Sequence, residues 1–147
     1  MKRFEPKTAR FEERVRESFN RQTLMKTIGA RLLRVAPGEV AIELPFHDGL
    51  TQQHGYLHAG IVTAIADTAC GYAAYTLMPE EADVLSVEYK INLLSPARGE
   101  KFIARANVKR AGRNLTVCEA EVFAINDDKE KLVAAMLATM MAIRGID

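Results

Sequence analysis

The feature that most constrains this chain is a long apolar run with one carboxylate in its middle. From His58 to Tyr75 the residues are small, aliphatic and nearly uncharged, and Asp67 stands close to the centre. A helix that is apolar on every face packs inside a protein. The run is therefore expected to form a buried helix of about five turns, closed by Pro79, which cannot continue one. A carboxylate placed there loses its water, and no Lys or Arg lies between His58 and Met78 to pair with it. Asp67 is either satisfied by a group distant in sequence or kept for chemistry.

Around this run the patterning is mixed. Phe11, Val15, Phe19, Leu24, Met25 and Ile28 recur at roughly helical spacing, and Gly29 offers a stop, so one amphipathic helix is expected over residues 8–28. Two strands, 30–36 and 39–44, flank the turn Pro37-Gly38. Residues 46–57 form a polar loop. After Pro79, the segments 84–94, 101–110 and 115–125 are rich in Val, Ile and aromatics and are separated by Gly-, Pro- and Asn-containing turns, which marks strands. The last segment, 131–144, is rich in Ala and Met, and intrinsic propensity alone assigns it to helix. The order of elements is α+β.

Several functional classes drop out early. A net charge of +1 gives no basic surface for nucleic acid and no acidic tail. The cysteines, Cys70 and Cys118, lie inside apolar segments and read as reduced, buried thiols of a cytoplasmic protein. The N-terminus runs into charge and lacks a secretory core, and the apolar run is too short to span a bilayer. A soluble protein is expected.

The stretch Gln52-Gln53-His54-Gly55-Tyr56-Leu57-His58-Ala59-Gly60, followed by Ala66-Asp67-Thr68-Ala69, resembles the signature of the hotdog-fold thioesterases, in their PaaI-like branch. The strand-like Ser86-Val87-Glu88-Tyr89-Lys90-Ile91-Asn92-Leu93-Leu94-Ser95-Pro96 resembles the family's next strand. The likeness runs from about residue 29 to the end, leaving 1–28 as a helical extension of a single hotdog domain. It implies a curved antiparallel sheet wrapped around one long helix, and it makes 131–144 a strand against propensity. It also implies acyl-CoA thioester hydrolysis, homodimers with active sites between the chains, and frequent pairing of dimers into tetramers.

Site roles follow from the same resemblance. Asp67 is implied as nucleophile or general base, and the N–H of Ala59, after His58, as the donor that polarises the thioester carbonyl. Gly60 continues this helix start. Gln52 occupies a position where the family often has Asn, and Ala59 one where it usually has Gly. Ser86 matches a hydroxyl that orients the carboxylate or the water. Arg98, Lys109, Arg110 and Arg113 cluster around expected turns and suit the phosphates of coenzyme A. Spacing adds a separate point. Asp67 lies nine residues after His58, which is roughly 13 Å along a helix and on its opposite side. No small reacting group touches both ends in one chain, whereas a two-fold dimer brings one chain's helix start to the other's Asp67.

His54 and His58, four apart, with His47 upstream, suggest zinc on paper. Gly55 and the loop context spoil that geometry and no cysteine lies nearby, so neither metal nor organic cofactor is expected, coenzyme A entering only as part of the substrate. Two other readings stay open: a hydratase or dehydratase of the same fold, and a non-catalytic acyl-CoA binder, for which the added N-terminal helix speaks and Asp67 speaks against.

Overall fold

The computed structural model describes residues 4–145. Helix α1 spans Phe11–Arg21 and α2 Thr23–Ile28; strands β1 (Arg31–Ala36) and β2 (Glu39–Pro45) follow. Helix α3 spans Ala59–Tyr75, and then come β3 (Ala82–Leu93), β4 (Lys101–Ala111), β5 (Leu115–Asn126) and β6 (Lys129–Arg144). The strands form one antiparallel sheet in the order β1-β2-β4-β5-β6-β3. The sheet curves around α3, which packs against β2, β3, β4, β5 and β6, so the hotdog architecture is the one observed.

One strong local signal shapes each early element. Gly38 (φ 76°) closes the β1–β2 hairpin in a left-handed conformation, and Gly29 (φ 82°) ends α2 in the same way. Val62, Ile65, Ala66, Ala69, Cys70 and Ala73 of α3 are buried against the sheet. Burying a side chain the size of Val62 or Ile65 contributes about 1.5–3 kcal/mol, and this fixes which face of α3 turns inward.

Two expectations from local patterning differ from the observed elements. The single helix over 8–28 is two, broken at Gln22, whose backbone is extended (φ −80°, ψ 100°). Segment 131–144 is the strand that the resemblance implied, and that strand begins two residues earlier, at Lys129. Helix propensity separates residues by at most about 0.7 kcal/mol each. As β6 the segment pairs with β5 on one side and β3 on the other and buries Ala134, Met136, Ala138 and Met140 on one face. A helix there would leave two flanking strands without their ladder partner, a far larger loss.

The N-terminal helices are tied to this core. Val15, Phe19, Met25 and Ile28 are buried in it. The Arg14 guanidinium, itself buried, donates to the carbonyls of Met78 (3.2 Å), Pro79 (3.2 Å) and Ala82 (2.9 Å) and stacks on the Tyr75 ring at 4.4 Å. These bonds clamp α1 to the corner where α3 hands over to β3.

Candidate active site

Helix α3 is apolar, but it is not covered all round. Gly60, Thr63, Ala64, Asp67, Thr68 and Gly71, spaced three and four apart, form a stripe that the chain's own sheet leaves half-buried or exposed. Asp67 lies on this stripe, so the fully enclosed helix expected from composition is corrected to one with an open side. The carboxylate Oδ1 accepts a hydrogen bond from Ser86 Oγ at 2.7 Å, across from β3. Burial pushes the Asp67 carboxyl above its ordinary value, and the Ser86 hydrogen bond acts in the opposite direction. A carboxylate that is disfavoured as an anion yet held in place is a better proton acceptor than a solvated one.

The start of α3 is built by local turns. The amide of Leu57 donates to Ala97 O (3.0 Å) and that of His58 to Leu50 O (2.9 Å), fixing the approach to the helix. His58 is the N-cap: its Nδ1 accepts from the Gly60 N–H at 2.7 Å, and its carbonyl accepts from Ile61 (2.9 Å) and Val62 (3.1 Å). Among the described residues the Ala59 N–H has no partner. It sits at the positive end of the helix, in a mainly apolar cavity of about 430 Å³ lined also by Gln52, Tyr56, Leu93 and Val133. The Gln52 side chain is partly committed: its Oε1 accepts from the amides of His54 (2.5 Å) and Tyr56 (3.3 Å).

The chain thus brings Asp67 to Ser86 and Ala59 to Gln52, but it does not bring the two pairs together. Asp67 and Ser86 line a cavity of mixed polar and apolar lining, about 340 Å³ in volume. A third cavity of about 400 Å³ also reaches Asp67, and there it meets Gly60, Thr63, Ala64 and Tyr89. The basic residues separate as well. Arg98 stands at the Lys101 end of β4 with its guanidinium 5.4 Å from the Tyr56 ring centroid, while Arg110 and Arg113 lie at the Ala111 end, an eleven-residue strand away, roughly 35 Å. Lys109 pairs with Glu119 at 3.3 Å.

Two of the three histidines are spent on backbone. His47 Nδ1 accepts from Gly49 N–H at 2.8 Å, as His58 does from Gly60. Cys118 and Cys70 are buried, with Cys118 Sγ 3.5 Å from the Cys70 carbonyl. Burial pushes the Cys118 thiol up to about 12 and Cys70 up as well, so both stay protonated and unreactive.

Local reading of the sequence missed the wall of the Asp67 cavity. Ser18, Arg21 and Gln22, from the N-terminal helices, line it beside Thr68 and Tyr72. Ser18 Oγ lies 3.1 Å from the Tyr72 hydroxyl, Gln22 Nε2 donates to that hydroxyl at 3.4 Å, and Thr68 Oγ1 donates to Gln22 Oε1 at 3.4 Å. A signal was present: the apolar spacing of four through Phe11, Val15 and Phe19 slips before Met25, which marks the break at Gln22.

The sequence pattern of the Thioesterase superfamily matches residues 54–131. Among solved structures, a thioesterase family protein from Silicibacter pomeroyi is 52% identical, with a TM-score of 0.90 over 92% of this chain and 99% of that one. The E. coli PaaI protein of the phenylacetic acid degradation operon, at 19% identity and a TM-score of 0.83, covers 95% of this chain and 97% of its own, and shares the fold. The 1,4-dihydroxy-2-naphthoyl-CoA hydrolase of Listeria monocytogenes is 29% identical over 80% of this chain and 93% of its own.

Proposed function

The chain belongs to the thioesterase superfamily, and from that premise we propose that it hydrolyses an acyl-CoA thioester to a carboxylate and free coenzyme A at a site shared by two copies. The observation that carries this reading is the half-buried Asp67, held by Ser86 on the open stripe of α3. A structural carboxylate is ordinarily surrounded by donors; this one has a single described hydrogen bond, which leaves Oδ2 to hold a water.

In the proposed reaction Asp67 takes a proton from that water as its oxygen adds to the thioester carbon. The carbonyl oxygen, now an oxyanion, is held by the unpartnered Ala59 N–H at a helix start. Collapse breaks the carbon–sulfur bond, and the departing thiolate recovers the proton from Asp67. Atoms and charge balance without a metal or organic cofactor. Ser86 orients the carboxylate, Gln52 borders the carbonyl side, and His58 holds the helix start through its cap on Gly60. Arg98 beside Tyr56 is the residue best placed to meet coenzyme A phosphate near the Ala59 cavity.

Two copies are needed because Ala59 and Asp67 of one chain open into different cavities. Strand β3 is a sheet edge carrying exposed Leu85, Val87, Tyr89 and Leu93, and such an edge invites pairing. Joining β3 to its symmetry copy would set two α3 helices side by side and antiparallel, carrying each Ala59 toward the other chain's Asp67. Exposed Leu115, Leu137 and Met141 on the outer face of the sheet suit a further pairing of dimers.

The test is release of free thiol from short, medium, long and aromatic acyl-CoA. Turnover of at least one class is expected. Tight binding across the panel with no turnover would replace hydrolysis with the non-catalytic binder, and hydration of an enoyl-CoA without thiol release would replace it with the hydratase.

A further inference from the structure

Asp67 is reached from two cavities, and the same three residues, Gln22, Asp67 and Thr68, line both. Between the cavities stands the bridge in which Thr68 Oγ1 donates to Gln22 Oε1 at 3.4 Å. The two spaces differ in character. One, of about 400 Å³, is bordered by Leu24, Ala64, Gly60 and Tyr89 and so adjoins the helix start and the β3 edge. The other, of about 340 Å³, holds Ser18, Arg21, Asp83 and Ser86 and so carries more charged side chains.

We propose that Gln22 is a specificity-determining residue of this site: its side chain, braced on Thr68 and on the Tyr72 hydroxyl, is the wall that ends the acyl pocket. The inference rests on the hydrolase reading above. An acyl group whose carbonyl lies at Asp67 extends into the space beside Leu24 and Ala64 and stops at the Gln22–Thr68 bridge. The space behind the bridge, with Arg21 and Asp83 in its walls, is kept for water, next to Ser86 and the carboxylate that activates it.

Local structure supports a dedicated role for Gln22. It is the residue at which the N-terminal helix breaks, with an extended backbone between α1 and α2. Its own N–H still bonds to Phe19 O at 3.0 Å, so the break is a held turn. Had the helix run on unbroken, position 22 would have kept the helical phase of α1. Instead the kink delivers the amide to Thr68, one residue past Asp67, and the buried side chains on either side (Phe19, Met25) hold it there. Four side chains from α1, the kink and α3 (Ser18, Gln22, Thr68 and Tyr72) then meet at one wall through three hydrogen bonds.

The test compares wild type, Gln22→Ala, Gln22→Leu and Thr68→Ala on saturated acyl-CoA from acetyl to dodecanoyl and on an arylalkanoyl series of increasing tether. Each methylene that gains room in such a pocket changes kcat/KM by roughly tenfold or more. Gln22→Ala is expected to raise the ratio of kcat/KM for the first chain too long for wild type to that for its best chain by about tenfold, mainly through KM. Gln22→Leu, which keeps the bulk without the hydrogen bonds, is expected to retain the wild-type length limit. Thr68→Ala opens the same wall from the helix side, with a residue that favours helix, and is expected to shift the limit in the same direction. If wild type is active and neither Gln22→Ala nor Thr68→Ala moves the length limit, the wall is not at Gln22. If wild type releases thiol from none of the series, both the hydrolase reading and this inference fall.

Discussion

The two halves of the proposed site are built in opposite ways. The Ala59 half is local: the loop from Leu50 to Gly60 folds on itself, and His58 caps the helix it begins. The Asp67 half is assembled from afar, by Ser86 on β3, the kink at Gln22, and Ser18 and Arg21 on α1. A backbone N–H at a helix start needs little beyond the turn that exposes it. A carboxylate with a raised pKa needs walls on several sides to remove its water, and those walls come from distant segments. The polarising group and the base can both be placed from a short motif, whereas the walls that tune the base have to be read from the fold.

Breaking the distant half should have the largest effect. Asp67→Asn is nearly isosteric, and turnover should fall by roughly a hundredfold or more, the scale of lost acid–base catalysis, with acyl-CoA affinity kept. Stability should move the other way. The Asp67 pKa is raised in the folded state, so the folded chain binds this proton more tightly than the unfolded chain does. The stability that this gives is fully present below the ordinary aspartate pKa and is lost as pH rises through the folded value. At neutral pH the buried charge is therefore a cost, and Asp67→Asn should unfold at a higher temperature than wild type. Lower stability at neutral pH would mean that the carboxylate is structural.

Breaking the local half tests the other side of the comparison. Ala59→Pro removes the N–H, putting the ring in its place, and proline is tolerated at the first position of a helix, preceded here by His58 in an extended conformation (φ −60°, ψ 136°). Loss of one such donor should cost roughly a hundredfold in kcat with an unchanged melting temperature. Unimpaired turnover in a folded Ala59→Pro variant would remove Ala59 from the mechanism.

A smaller change sharpens the distant half. Ser86 donates to Asp67 and holds its pKa down against burial. Ser86→Ala should therefore move the acid limb of the kcat/KM profile to higher pH, and turnover at neutral pH should drop by about tenfold, the scale of one hydrogen bond to a charged group. An acid limb that stays in place would show that Ser86 does not set the basicity of Asp67.

The same contrast explains what was legible in the sequence. Helix α3, the Pro37-Gly38 hairpin and strands β3 to β5 carry strong local signals, and the elements fall where those signals place them, within a residue or two at most ends. Strand β6 was hidden by its composition. Its inward residues are Ala134, Met136, Ala138 and Met140, its outward ones include Leu137 and Met141, and with both faces apolar the alternation of a strand disappears. Only the family likeness recovered it. Burial cost left Asp67 with either a distant partner or a chemical role, and the family likeness pointed to Ser86, but Gln22, Ser18 and Arg14 were not found, because their partners lie 46 to 68 residues away. The basic residues misled for the reverse reason: closeness along the sequence around turns placed Arg98 with Arg110 and Arg113, and β4 holds them apart.

The claim that most needs a direct measurement is that each site takes Ala59 from one chain and Asp67 from the other. Asp67→Asn and Ala59→Pro chains, each inactive alone, can be co-refolded and the kcat of the mixture measured. In a mixed dimer one site receives intact Ala59 from the first chain and intact Asp67 from the second, while the other site is doubly damaged. With half of the dimers mixed and one good site in each, roughly a quarter of wild-type turnover should return. No recovery in a mixture shown to contain the mixed dimer would contradict a shared site and place all of the catalytic groups within a single chain.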